Sequence, residues 1–336
     1  MVYNKYIGII GGTGTIGSII VKYLLQLQTH FHVLIGGRRS IKEISMSTFY
    51  NSERLKYNQM NYNNDVELDN FCSQCLLVIN AVGPSFKIND KIALHALRNN
   101  CHYIDIGGYG ILRDLLKPYE KSIEAQKLCF IIGVGWMPGI SGVFSKTIIE
   151  THLNSPENTN FNIYYGAVDN WSYSSTYDLA ASSMGKTRSY VYSHGKEIQV
   201  SPFRYTHHKF FPFIGHKKIC MPSFDEQLTQ LATSLKQIRK ISTFIMLNDY
   251  ISMGKFMFIK IFYKHNLNKA TLMLQDDYQR LVKKENKWGS VICQVSKIEP
   301  ERKIDTFYYL YTKNNLLYTA LPAVITPLLL TLDPFL

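Results

Sequence analysis

The run Ile9-Ile10-Gly11-Gly12-Thr13-Gly14-Thr15-Ile16-Gly17 has the residue types and spacing to hold a phosphate. Gly12, Gly14 and Gly17 form GxGxxG between a short apolar segment and an amphipathic one, the strand-to-helix setting that gives the pattern its meaning. Gly12 permits a tight turn, Gly14 lets the backbone approach a pyrophosphate, and Gly17 lets the helix pack closely on the sheet. The free N–H groups and partial positive charge of the helix start then favour phosphate oxygens. The dinucleotide is chosen further on, in Gly36-Gly37-Arg38-Arg39-Ser40, where no acid stands nearby. A carboxylate there would accept from a ribose 2′-OH and repel a 2′-phosphate, whereas guanidinium forks pair with the phosphate. The expected cofactor is therefore NADPH (NADP+), held by Gly11, Gly12, Thr13, Gly14, Thr15, Ile16 and Gly17, with Arg38, Arg39 and Ser40 at the 2′-phosphate. No second nucleotide motif favours FAD.

Three later strand ends carry the remaining candidates, because ligands of open α/β sheets bind beyond the carboxyl ends of the strands. Ala81-Val82-Gly83-Pro84 makes a close turn whose backbone is expected to face the cofactor. Asp105 is the polar residue of an otherwise apolar strand, and a buried carboxylate is costly without a role. It is expected to position a substrate nitrogen, to move a proton, or to cap the glycine turn that follows. Tyr109 is a candidate proton donor or pocket wall, and Trp136 and Met137 are candidate substrate contacts. Lys186 is a candidate for a substrate carboxylate. His207, His208 and His216 lack metal-ligand spacing, and no metal is expected.

The elements that must position these residues follow from the rhythm of apolar runs. Strands are expected over Tyr6–Ile10, His32–Gly36, Lys56–Met60, Leu76–Ala81, His102–Ile106 and Cys129–Val134. Helices fall between them over Thr15–Leu27, Val66–Cys72, Asp90–Asn99 and Leu112–Lys127. Continuous apolar strands separated by helices make an α/β fold, here an N-terminal Rossmann doubly wound parallel sheet. The glycines and proline of 133–142 suggest a hinge, then a helix over Ile140–His152. The organisation expected is a dinucleotide-binding domain over 1–148 and an α+β substrate and dimerisation domain over 149–315. The latter includes a strand over Phe161–Val168, a helix over Glu226–Lys240 and a strand over Asp305–Tyr311. Residues 316–336 are expected to pack back on the first domain.

The net charge of +12 raises nucleic acid as a partner. Residues 1–150 hold 15 Lys/Arg against 11 Asp/Glu and the remainder 22 against 14, scattered without a basic, aromatic-lined groove. No nucleic-acid partner is expected; the charge reads as a solvated basic face, or as attraction for an anionic substrate or acidic partner protein. The apolar run Ala320–Leu332 is too short to span a bilayer and contains Pro322 and Pro327, so no membrane partner is expected. The cysteines Cys72 and Cys75 form a CxxC without a second pair at zinc spacing and read as buried thiols. With the first strand opening almost at the N-terminus, a reducing, cytoplasmic setting is expected.

Several motifs taken together resemble the saccharopine dehydrogenase family: Ile7–Gly17, Gly36–Arg39, Val78-Ile79-Asn80-Ala81-Val82-Gly83-Pro84, Cys101–Gly108 and Gly135–Gly142. The resemblance is strongest over residues 5–145; Lys209–Pro212 and Tyr318–Leu330 look like the family's second domain and closing helix. It implies a homodimer and a small-molecule substrate reduced by NADPH, in this family through an imine joining an amine to a carbonyl compound. Saccharopine reductases carry Asp-Pro-Gly in the turn after the sixth strand, where this sequence has Met137-Pro138-Gly139. The chain therefore looks more like the reductases of secondary metabolism, acting on an amino-acid-derived or natural-product imine held by Asp105, with Tyr109 as the backup acid. Reduction of C=O or C=C on a carrier-protein-bound acyl chain, and a non-catalytic NADP(H)-sensing role, are the alternatives.

Overall fold

The computed structural model describes residues 6–27, 31–40, 52–108, 110–153, 156–185 and 189–332. The chain divides into two compact units, Met1–Ile140 with Leu316–Leu336, and Ser141–Asn315. In the first unit β1 (Tyr6–Ile10), α1 (Thr15–Gln26), β2 (Val33–Gly37), β3 (Leu55–Gln59), α2 (Asp65–Cys72), β4 (Cys75–Asn80) and α3 (Ser85–Ile88) come in turn. They are followed by α4 (Lys91–Arg98), β5 (His102–Asp105), α5 (Gly110–Leu116), α6 (Glu120–Ala125) and β6 (Phe130–Ile132). The six strands are all parallel, in the order β3-β2-β1-β4-β5-β6. This is the doubly wound order, and it reverses between β1 and β4, which opens a crevice at their carboxyl ends. The α/β Rossmann expectation thus holds.

Both faces of this sheet are covered, which is why its strands are apolar throughout. On one face Ile20, Val21 and Leu24 of α1 pack with Ile9, Ile35 and Ile79, joined by Ala320, Ala323 and Val324 of the closing helix. On the other, Phe71 of α2, Ile92 and Ala96 of α4 and Leu112 of α5 pack with Val78 and Tyr103. Cys72 and Cys75 lie buried in this second layer, and the Cys101 thiol donates to both their carbonyls. Burial pushes the Cys72 thiol far above its ordinary range, the environment of an inert thiol. The single helix expected over Leu112–Lys127 is in fact α5, a 3₁₀ turn at Lys117–Tyr119, and α6. Pro118 has no N–H to donate and its ring disfavours a continuous helix, so the helix breaks where it stands.

The second unit begins with α7 (Ile140–His152), whose body from Ser141 on belongs to it. Then come β7 (Thr159–Val168), α8 (Tyr173–Gly185), β8 (Ser189–Ser193), β9 (Lys196–Val200), α9 (Pro202–Tyr205), β10 (His207–Phe211) and β11 (His216–Pro222). Next are α10 (Glu226–Ser234), β12 (Lys240–Leu247), α11 (Tyr250–Phe262), α12 (Leu267–Lys284), β13 (Trp288–Ile298) and β14 (Lys303–Thr312). The long helix expected over Glu226–Lys240 ends at Ser234, because Lys240 already starts β12 beside β7. The sheet runs β10-β11-β12-β7-β13-β14, parallel only between β12 and β7, with the β8–β9 hairpin attached to β12. Phe213 meets Tyr309 at 4.5 Å between ring centroids, so the sheet curls until its two edges approach across one face. The closing helix α13 (Asn315–Leu332) follows β14. Pro322 is accommodated within it, its carbonyl accepting from Thr326 Oγ1 at 2.7 Å. Among the described residues no helix is long and apolar enough to cross a membrane.

A candidate dinucleotide site at the switch point of the first unit

The glycine loop occupies the crevice that the strand order opens. Gly14 stands extended before the first turn of α1, accepts from Ser18 N, and offers no side chain to cap the helix. Nor does an acid stand in that turn, so the amides of Thr15, Ile16 and Gly17 meet an incoming anion without competition. The need for glycine is steric. A Cβ on Gly17 would overlap the Gly11 carbonyl oxygen, and one on Gly12 would stand 2.8 Å from Ile35 Cγ2. Gly11 itself has φ of 83° and faces the Ala81 backbone across the crevice, 3.0 Å from where its own Cβ would be. The loops after β1 and β4, both chosen from sequence, are therefore neighbours, with Ala81 N donating to Ile10 O.

At the end of β2, Arg38 and Arg39 are both exposed and Ser40 is half-buried. Arg39 reaches back to the glycine loop, its Nη2 donating to Thr13 O at 2.8 Å. The turn is held from beneath by the neighbouring strand. Tyr57 of β3 donates its hydroxyl to the carbonyls of Gly37, at 3.0 Å, and Arg39, while Gln59 Nε2 donates to Arg38 O at 3.3 Å. Sequence reasoning passed over both residues. Their signal was available only through register, since β3 must lie beside β2, with Tyr57 opposite Ile35 and Gln59 opposite Gly37. Tyr57→Phe should weaken NADPH binding by about fivefold through the loosened turn, with NADH little changed; paired fluorescence titrations measure it.

Asp105 is buried and surrounded by donors. Its Oδ2 accepts from Asn80 Nδ2 at 2.8 Å and from the Tyr103 hydroxyl at 2.6 Å, and its Oδ1 from Gly107 N at 2.9 Å. Burial pushes this carboxyl above its ordinary range, opposed by hydrogen bonds from Tyr103, Asn80 and the Gly107 and Gly108 amides. Burial and the adjacent carboxylate push the Tyr103 phenol up as well. Asn80 passes the link onward, its Oδ1 accepting from Val82 N at 3.0 Å. The Asp105–Asn80 pair thus ties the Gly107–Gly108 turn to the Ala81–Pro84 loop, in which the Gly83–Pro84 peptide is cis. Of the residues expected at the strand ends, Trp136 and Met137 are half-buried in the turn after β6, with Trp136 edge-on to Tyr318 of α13 at 5.8 Å. Gly139, at φ of 129°, closes this turn, and Gly135 N donates to Pro138 O. Tyr109 and Lys186 lie outside the described residues. Among the described residues no group of three or more His, Cys, Asp or Glu has a metal-holding arrangement.

Residues 7–129 match the saccharopine dehydrogenase NADP binding domain. The match takes in the glycine loop, the arginine pair and Asp105. The cradle fits NADP(H): bare amides for the diphosphate, glycines where any Cβ would intrude, and two arginines where the ribose phosphate would sit. Residues 7–129 are accordingly an NADP-binding domain of the saccharopine dehydrogenase type. A comparison with curated proteins finds no match. Among solved structures, saccharopine dehydrogenase (L-Glu forming) from Saccharomyces cerevisiae is 14% identical with a TM-score of 0.66, covering 97% of this chain and 91% of that one. This is a likeness of fold. The DAP dehydrogenase of C. glutamicum in complex with DAP is 10% identical with a TM-score of 0.47, covering 95% of this chain and 86% of that one. An engineered D-amino acid dehydrogenase bound to NADP+ is likewise 10% identical with a TM-score of 0.46, over the same shares.

Proposed function

We propose that the chain is an NADPH-dependent reductase of a C=N bond in an imine derived from an amino acid or related natural product. The observation that carries this reading is the saccharopine dehydrogenase-type cradle, closed at β2 by Arg38 and Arg39. Held by the loop amides and the two arginines, NADPH would supply a hydride for the imine carbon, and the nitrogen would take a proton, giving an amine and NADP+. A protonated imine is already electrophilic, so the work left to the protein is to orient it, exclude water and deliver a proton. The chain's own share is positional. The loop amides and arginines bind, and the Asp105–Asn80 link fixes the two strand-end loops between which the reacting groups would lie. In this reading Asp105 is a positioning residue, since its oxygens already accept from three donors on the protein.

The test is NADPH oxidation with panels of amines and carbonyl compounds, alone and in pairs. The reading requires turnover that depends on both partners. Turnover with the carbonyl compound alone sinks it in favour of C=O reduction. The alternative of a carrier-bound acyl substrate draws on one observation, the excess of 22 Lys/Arg over 14 Asp/Glu after residue 150. It predicts an activity that falls steeply with salt, which a small free imine would not show.

A further inference from the structure

In the second unit α11 turns an apolar side outward. Tyr250, Ile251, Gly254, Phe258, Ile261 and Phe262 fall, at helical spacing, within about 120° of one another around the axis. All are exposed, Ile261 by 60% and Phe262 by 65%. The opposite side holds Ser252, Phe256 and Ile259, which are buried. The helix is fixed in that orientation. Asp249 caps it by accepting from Ser252 N at 2.8 Å, and Arg280 of α12 clasps the same carboxylate with bonds of 2.6 and 3.0 Å. That clasp holds the Asp249 carboxyl well below the ordinary carboxylate range. Leu272 of α12 adds another exposed apolar side chain, 58% accessible.

Among the described residues the charge left unpaired beside this stripe is positive. From Asp249 to Asp277 there are four lysines, with Asp249, Asp276 and Asp277 at the two ends of the stretch. Lys255 is taken by Asp276 at 2.9 Å, whereas Lys264 and Lys269 stand exposed where the two helices join. A second copy of the chain would bring its own Lys264 and Lys269 to the same face. An anionic lipid surface offers the complement, apolar depth for the aromatic side and negative headgroups for the lysines. We propose that α11 and the start of α12 dock this protein on the surface of an anionic membrane. The helix lies in the interface with Phe258, Ile261 and Phe262 inserted, which needs no helix long enough to cross the bilayer.

Flotation of the full chain with vesicles tests this. Wild type should float with phosphatidylcholine containing about one-third phosphatidylserine and stay behind with phosphatidylcholine alone. Phe258→Gln with Phe262→Gln should weaken binding by at least about tenfold, and Lys264→Gln with Lys269→Gln by about fivefold for each lysine removed. Both pairs are surface residues of the second unit, so NADPH titration and thermal unfolding should match wild type and certify the fold. Wild type that ignores anionic vesicles, or a phenylalanine variant that binds like wild type, overturns the proposal. A dimer that the phenylalanine variant dissociates, with no vesicle binding by wild type, also overturns it and gives the face to a second copy.

Discussion

Replacing Arg38 and Arg39 together by alanine should raise the dissociation constant for NADPH by about a hundredfold and leave that for NADH within about twofold. The size follows from losing two charge-assisted bonds to a 2′-phosphate, each about 1.5–3 kcal/mol, with partial compensation by water. The asymmetry is the informative part. Both nucleotides present the same diphosphate to the amides of Thr15, Ile16 and Gly17, so a cradle still folded keeps its grip on NADH. Arg39 also donates to Thr13 O, and the single Arg39→Ala variant should therefore cost NADH a little as well. Arg38 has no such tie, so Arg38→Ala should act on NADPH alone. Nucleotide fluorescence titration reads all four combinations. Equal loss of both nucleotides in the double variant would mean that the arginines shape the loop and do not choose the cofactor.

Asp105→Asn should destabilise the protein by about 3 kcal/mol and weaken NADPH binding by about tenfold. The cause is local. An amide in that position offers one acceptor where the carboxylate offers two, and its NH2 must face the Asn80 amide or the Tyr103 hydroxyl or the Gly107 N–H. Asn80 would then turn and release Val82 N, freeing the Ala81–Pro84 loop from its register with β5. Urea unfolding and NADPH titration measure the two effects. A pH profile of residual turnover separates this from proton transfer. A positioning residue leaves the profile in place while affinity falls, whereas a proton donor loses a limb of the profile while affinity holds.

Much of the first unit was legible because its signals are local. The glycine run names its own contacts: the spacing of Gly12, Gly14 and Gly17 fixes where a backbone must bend and where a Cβ cannot stand, and neighbours such as Gly11 and Ile35 only make the exclusion concrete. The apolar strands and the arginine pair are read in the same way, since burial on both faces demands one composition and a 2′-phosphate another. Pro118 was equally local, and its break in the helix over Leu112–Lys127 follows from a rule about proline that the periodicity concealed.

The roles of Asp105, Tyr57 and Asn80 are of another kind. A carboxylate inside an apolar strand announces a cost but not what offsets it. Register supplied the answer by setting Asn80 opposite Asp105, with Tyr103 two residues away on the same face. Likewise nothing near Tyr57 in sequence points to Arg38 and Arg39; only β3 lying beside β2 brings its hydroxyl under their turn. The outward side of α11 was also hidden, because Phe256 and Phe258 are the same residue type and only packing decides which is buried. Sequence determined the fold of the first unit and the cofactor it takes, because strands, turns and phosphate cradles are set by residues a few positions apart. Tertiary structure alone decided which polar groups meet and which apolar ones face water, because those partners are joined by strand pairing and helix packing across long stretches of chain.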